Sequence, residues 1–255
     1  SKLFSRYDVV YIPQLIFIDS NGQEIDRHIG YIAADEYLKF LHRITNNEGT
    51  FLDILKRVQE GERSSELLLI LAKKYRDRND KALALEYYTE ALTGKNISMQ
   101  GSLEARFFIA SQKLVEGDDT ALWNLIEMDT DSEESYYGLR DLINFYAIGG
   151  RVDDEVRAYK IAVERFSDNT TLLNGYAWRM GELGRDLDEA LAAGQRALDI
   201  EQIPNRRSAM YDTVAEIFWK LGQPDSAIWY IDRAIELNEN KISYYANQKQ
   251  KFMGR

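Results

Sequence analysis

Residues 208–241, SAMYDTVAEIFWKLGQPDSAIWYIDRAIELNENK, carry two apolar stripes of helical period separated by a Gly-Gln-Pro turn. Tyr211, Val214, Ala215 and Phe218 recur at intervals of three and four. Ala227, Ile231, Ala234 and Ile235 do the same, so each half predicts one amphipathic helix. Two helices with one stripe each cannot bury both stripes against each other alone. Such a pair requires neighbours, which is the physical origin of a repeat array in which each unit completes the core of the next.

Looser copies of the pair precede it. Ala72, Ala110, Ile143, Ala177 and Ala215 occupy equivalent points of successive first helices, at separations of 38, 33, 34 and 38 residues. On the second helices Ala91, Ala162, Ala197 and Ala234 are separated by 71, 35 and 37, and 71 spans two repeats with a short second helix near Asp118–Met128 between. Five helix pairs are thus predicted over 65–241, followed by a capping helix over 242–255 marked by Ile242, Tyr245, Ala246, Phe252 and Met253.

A period near 34, a Gly at the turn and small residues at the helix crossings resemble the tetratricopeptide repeat. The best copy has Ala215, Gly222, Ala227 and Ala234 at the small positions and Phe218 at the aromatic one; the copy at 170–205 has one extra turn residue. The copy at 65–98 keeps Ala72, Tyr75, Ala84, Tyr88 and Ala91, whereas those at 103–135 and 136–169 depart further, with Glu155 where Ala is usual. The fold implied is mainly α, a tetratricopeptide-like α-α superhelix with a small N-terminal α+β segment. In that family the first helices line a concave, peptide-binding side. Carried across, the lining positions are Lys73 and Arg76, then Arg140 and Asn144, then Asn174 and Trp178, then Asp212, Glu216 and Trp219. The alternative is that Trp178 and Trp219 pack between helices, as aromatic stripes commonly do. Gly175, Ala209 and Thr213 stand where a carboxylate-clamping relative would need donors, which argues against a chaperone C-terminus as ligand.

The first 46 residues follow another pattern. Leu15–Ile18 is a short apolar run that ends in Asp-Ser-Asn-Gly, a tight-turn sequence, and Ile25–Ile29 alternates as a second strand stopped by Gly30. Tyr37, Leu38, Leu41 and Ile44 then space like one helix face. This strand, hairpin, strand, helix order resembles the C-terminal half of a thioredoxin-like domain. The resemblance places Ile12-Pro13 at the family's cis-proline substrate loop and Gly30-Tyr31 before its last helix. The Cys-x-x-Cys portion has no counterpart. An unrelated α+β adaptor is the alternative. A two-strand sheet leaves an edge to be covered by a neighbouring chain, a removed N-terminal piece or the helices, so self-association through that edge is one expectation. Residues 47–64, from Asn46-Asn47-Glu48-Gly49 onward, read as a linker and an introductory helix capped by Thr50 with Asp53 three residues later.

Charge and composition exclude several functions. The net charge is −10 and the pI about 4.9; the first 46 residues contribute −1 (five Lys or Arg, six Asp or Glu), leaving −9 on the helices. Nucleic acid needs clustered basic residues and is not expected as a partner. No run approaches a membrane span, and the start, SKLFSRYDVV, lacks a signal-peptide design and reads as processed or trimmed. With no cysteine the chain has no thiol nucleophile, disulfide or thiolate metal site. His28 and His42 lack partners at metal spacing, and Asp129–Glu134 lacks the Gly and terminal Glu of a calcium loop. Asn169-Thr170-Thr171 fits a glycosylation sequon by coincidence. No catalytic residue, cofactor or metal is expected.

The function these features predict is a protein-interaction scaffold binding a protein or peptide. The alternative is a fragment of a thiol-disulfide oxidoreductase whose Cys-x-x-Cys lies upstream. The thioredoxin-like resemblance points to a bacterial, periplasmic origin rather than a cytoplasmic one.

Overall fold

The computed structural model describes residues 2–254; Ser1 and Arg255, the outer ends of the first segment and of the cap, lie outside the described residues. The chain forms two compact units, residues 1–125 and 126–255.

The first unit opens with a short helix α1 (Lys2–Arg6) that the sequence did not signal, then strands β1 (Gln14–Ile18) and β2 (Glu24–Ile29) and helix α2 (Ala34–Asn46). The strands pair antiparallel, Gln14 opposite Ile29 and Phe17 opposite Asp26, in a two-stranded sheet. Their turn is built by Asp19, whose Oδ1 accepts from the backbone N–H groups of Asn21 and Gln23, both at 2.8 Å. Gly22 sits at φ +78°, a left-handed conformation that a side chain disfavours.

Helices α3 (Phe51–Gln59), α4 (Ser65–Asp77), α5 (Lys81–Ala91) and α6 (Met99–Val115) follow. Ile54, Val58, Leu67, Leu68, Leu71, Ala72, Ala84, Tyr88 and Ala91 form their common core. Helix α7 (Thr120–Met128) crosses into the second unit.

Charged side chains join the hairpin to these helices. Asp26, fully buried, receives Lys74 Nζ at 2.8 Å on each oxygen and Arg43 Nη2 at 2.9 Å. Arg27 is paired with Glu24 and also donates to the carbonyls of Asp77 (3.1 Å) and Tyr7 (2.9 Å). Arg78 lies 2.7 Å from Glu24 and over the Phe51 ring at 3.7 Å. Burial holds the Lys74 ammonium below its ordinary pKa, against the opposing pull of Asp26. Thus β2 is covered by helices, while among the described residues the outer edge of β1 has no partner strand.

The second unit contains α8 (Glu133–Ile148), α9 (Val152–Arg165), α10 (Thr170–Leu183), α11 (Leu187–Ile200), α12 (Pro204–Lys220), α13 (Pro224–Leu237), a single 3-10 turn (Glu239–Lys241) and α14 (Ile242–Phe252). In its core Tyr176, Ala177, Met180 and Ala190 meet Ile217, and Ala215, Ala227, Ile231 and Ala234 meet Tyr245 and Phe252.

Local chemistry sets the boundaries. Thr50, Ser64, Asp80, Ser98, Ser132 and Asn169 each accept the N–H three residues on, satisfying donors that a helix start leaves free. Asp53 reciprocates for α3 by accepting from Gly49 N–H at 2.9 Å. Pro204 and Pro224 begin α12 and α13, where a missing N–H does no harm. Gly222, at φ +74°, lets Gln223 N–H return to Phe218 C=O at 2.9 Å and closes α12.

Candidate functional site

The face of α12 that carries Ser208, Asp212, Ala215, Glu216 and Trp219 is set by the three-and-four spacing of one helix stripe. Helix α14 lies against it. Tyr245 and Phe252, seven residues apart on α14, enter the core at 1% and 3% exposure and bring the polar residues beside them into reach of α12. Lys251 Nζ meets both oxygens of Glu216 at 2.8 and 2.7 Å and sits 4.3 Å from the centre of the Trp219 ring. Phe252 is tilted against Trp219 at 6.0 Å. At the other end of the stripe Ser208 Oγ lies 3.2 Å from Tyr245 Oη and accepts from Asn238 Nδ2 at 3.2 Å.

Asp212 is the anomalous member. It is 6% exposed, and its Oδ2 accepts from the Tyr244 hydroxyl at 3.1 Å, while Oδ1 is buried without a hydrogen-bond partner among the described residues. Burial raises its carboxyl from 3.8 to about 6, and the nearby Glu216 charge adds to the rise. Tyr244, Lys241 and Lys251 oppose it.

On α10 the Oδ1 of Asn174 is likewise buried with no partner. Trp178, one turn on, is half-buried and makes no ring contact with a described residue, unlike Trp219. The neighbouring cation is committed: Arg179 forms a two-point pair with Glu155 at 2.8 and 2.9 Å, which explains how Glu155, 2% exposed, stands where the repeat prefers alanine. Helix α12 packs on α10 and α11 closely enough that a Cβ on Gly194 would stand 2.9 Å from Val214 Cγ2. On α8, Arg140 and Asn144 are exposed, with the Arg140 guanidinium 5.6 and 5.9 Å from the rings of Tyr136 and Tyr137.

In the first unit Lys73 and Arg76 of α4 converge on Glu104 of α6, at 2.6 and 3.0 Å. Tyr88 donates to the same carboxylate at 3.1 Å, and burial keeps its phenol neutral by raising its pKa. Ile12 and Pro13 lie in the loop before β1. Their peptide bond is cis, Ile12 is 78% exposed, and Pro13 C=O accepts from Gly30 N–H at 2.9 Å. Leu3, Phe4, Val9, Ile12, Ile16 and Ile18 are among the residues lining an open apolar hollow of 260 Å³ there.

The structure therefore brings Asp212, Glu216 and Trp219 together and pairs them with α14, and it brings Lys73 and Arg76 together on Glu104. Asn174 and Trp178 share one face of α10. Sequence reasoning missed Tyr244, Lys251 and Glu104 as members of these faces, because each comes from a neighbouring helix. His28 stacks edge-on to Phe40 at 5.7 Å and His42 is exposed. Asp129 uses its Oδ1 to accept from Asp131 and Ser132 N–H groups, at 3.2 and 3.0 Å, and so turns the chain into α8. Among the described residues no group of three His, Asp or Glu side chains is placed to hold a metal, and no helix is long and apolar enough to cross a membrane.

The sequence matches no protein-family model and no curated protein. Its fold is similar to that of solved helical-repeat proteins. The crystal structure of YrrB, a TPR protein with an unusual peptide-binding site, superposes with a TM-score of 0.53 at 14% identity, over 76% of this chain and 97% of that one. The crystal structure of MamA superposes with a TM-score of 0.51 at 18% identity, over 71% and 94%. The chain is thus a mainly α, tetratricopeptide-like helical repeat.

Proposed function

We propose that this chain is a protein-interaction scaffold that binds a peptide or protein segment on the first-helix faces of its second unit. The observation that carries this reading is the face of α10. There a half-buried Trp178 without a ring partner adjoins Asn174, whose Oδ1 is buried and unpaired. The ring supplies a large stiff apolar anchor, and rotation of the Asn174 side chain would turn its unpaired amide oxygen to a peptide donor. The similarity to YrrB, described as having a peptide-binding site, supports the same reading.

The test is selection of binders from a random peptide display, followed by affinity measurement on Trp178→Ala. Loss of about tenfold or more, with unchanged helical signal, is expected for an anchor of this kind. Selected peptides that bind the variant as well as the wild type overturn the reading.

A second reading concerns the first 46 residues as half of a thioredoxin-like domain. The order β1, Asn-Gly turn, β2, α2 and the unpaired edge of β1 favour it. On this reading the β1 edge takes a further strand, from the same or a second chain, and the cysteine-free chain itself reduces no disulfide. Sedimentation at micromolar concentration tests pairing between copies, since a monomer excludes it. Turnover in an insulin-reduction assay overturns the redox part.

A further inference from the structure

We infer that the Glu216–Trp219 face of α12 is a seat for a lysine flanked by an aromatic residue, filled in this structure by the chain's own Lys251 and Phe252. A partner segment of that chemistry displaces α14 to bind. This rests on the proposed peptide-binding role and adds the class of ligand.

The seat is defined by what already occupies it. Lys251 Nζ is held by both Glu216 oxygens and faces the Trp219 ring at 4.3 Å, so carboxylate and ring quadrupole both select a cation. Phe252 fills the apolar side against Trp219 and the Ala215, Ala227 and Ile231 core. The remaining polar group, Asp212, is an acceptor too, and an anionic segment would meet two carboxylates one helical turn apart.

Helix α14 does not satisfy this face completely. It offers Asp212 one hydroxyl, from Tyr244, and leaves Oδ1 without a donor. A segment that supplies a second cation or N–H group gains an interaction that α14 forgoes, which is the differential affinity displacement requires. Only Tyr245 and Phe252 of α14 are buried. Its Lys251 side chain remains 39% exposed, so the ion pair can be approached from solvent.

The probe is a capped synthetic peptide with the sequence of residues 242–254, beside a control with glutamate at both of its lysine positions. Anisotropy titrations use the full chain, its Lys251→Ala/Phe252→Ala variant and that variant combined with Glu216→Gln. Vacating the seat should tighten binding of the basic peptide by about tenfold, the scale of one desolvated cation contact, and Glu216→Gln should reverse the gain. The acidic control should not bind.

Should the double variant unfold, hydrogen exchange on the wild type decides: excess basic peptide should speed exchange across 242–252 and leave α12 and α13 protected. The inference is overturned if the basic peptide binds the vacated variant no better than wild type, if binding survives Glu216→Gln, or if α14 stays protected. Display-selected peptides that still depend on Trp178 would then leave the scaffold reading standing, whereas failure of both experiments removes it.

Discussion

The Tyr244 hydroxyl donates to one oxygen of Asp212 at 3.1 Å, and no described residue donates to the other oxygen, which is buried. Docking of α14 on α12 therefore takes a carboxylate out of water with half of its hydrogen-bonding capacity unmet. The two ends of the same interface are well matched, by Ser208 with Tyr245 and by Glu216 with Lys251. A single group thus works against the packing that surrounds it, and its ionisation state sets how much.

Stability of the second unit should fall as pH rises through about 6. The Asp212 carboxyl is raised in the folded chain from 3.8 to about 6, so its favourable contribution is fully present below 3.8 and lost above 6. Replacing Asp212 with Asn removes the charge and keeps an acceptor for Tyr244. The variant should be stabilised at pH 7.5 by up to about 3 kcal/mol, at about 1.36 kcal/mol per pKa unit, and the gain should vanish near pH 4. Urea unfolding at the two pH values measures this. An equal effect at both removes the charge as its cause.

Asp26→Ala should release the hairpin from α4. The substitution leaves Lys74, Arg43 and Arg78 facing one another at a site where Lys74 is already held below its ordinary pKa by burial. Breaking a buried pair by removing one partner costs about 3 kcal/mol or more. Exchange of the β2 amides should accelerate first. A change confined to the global unfolding midpoint, with the hairpin as protected as before, would contradict this assignment.

Gly194→Ala should destabilise despite alanine's better helix propensity. The added Cβ would lie 2.9 Å from Val214 Cγ2 and 3.5 Å from Ala177 Cβ, at the crossing of α11 with α12 and α10. Overpacking of a tight contact costs about 1–3 kcal/mol against about 1 kcal/mol gained from propensity. Thermal unfolding gives the sign, and the companion change Val214→Ala should relieve the clash in a double-mutant cycle.

Trp219→Ala and Trp178→Ala should separate packing from binding. Trp219 contacts Phe252 and Lys251, so its loss should lower the unfolding free energy by about 2 kcal/mol and speed exchange across α14. Trp178 has no ring partner among the described residues, and its loss should change stability by less than about 1 kcal/mol. Equal effects on stability would place both residues in the core.

Much of the architecture was legible because it follows from local periodicity. Ala72, Ala110, Ala177 and Ala215 stand at equivalent points of first helices, and all four are buried. The Asp19–Gly22 turn and the Thr50 cap were equally readable, since each depends on residues within four positions of one another. The short helix at Lys2–Arg6 was not, because five residues carry no periodic signal. The faces of the first helices were only half legible. Spacing places Asp212, Glu216 and Trp219 on one stripe, but their neighbours Tyr244, Lys251 and Phe252 are 32 to 35 residues away and give no local hint of the match.

The sequence by itself determined the helix pairs, their caps and the small residues that let them cross, because these are properties of the chain within a few residues of each position. Only the tertiary structure decided which polar groups on those helices are spent and which remain available. Packing α14 on α12 commits Glu216 to Lys251 and leaves one Asp212 oxygen unmet, and packing the hairpin on α4 commits Lys74 to Asp26. Hydrogen bonds and ion pairs of this kind form between groups distant in the chain, so their outcome is fixed by the approach of whole elements and not by the spacing of residues within one.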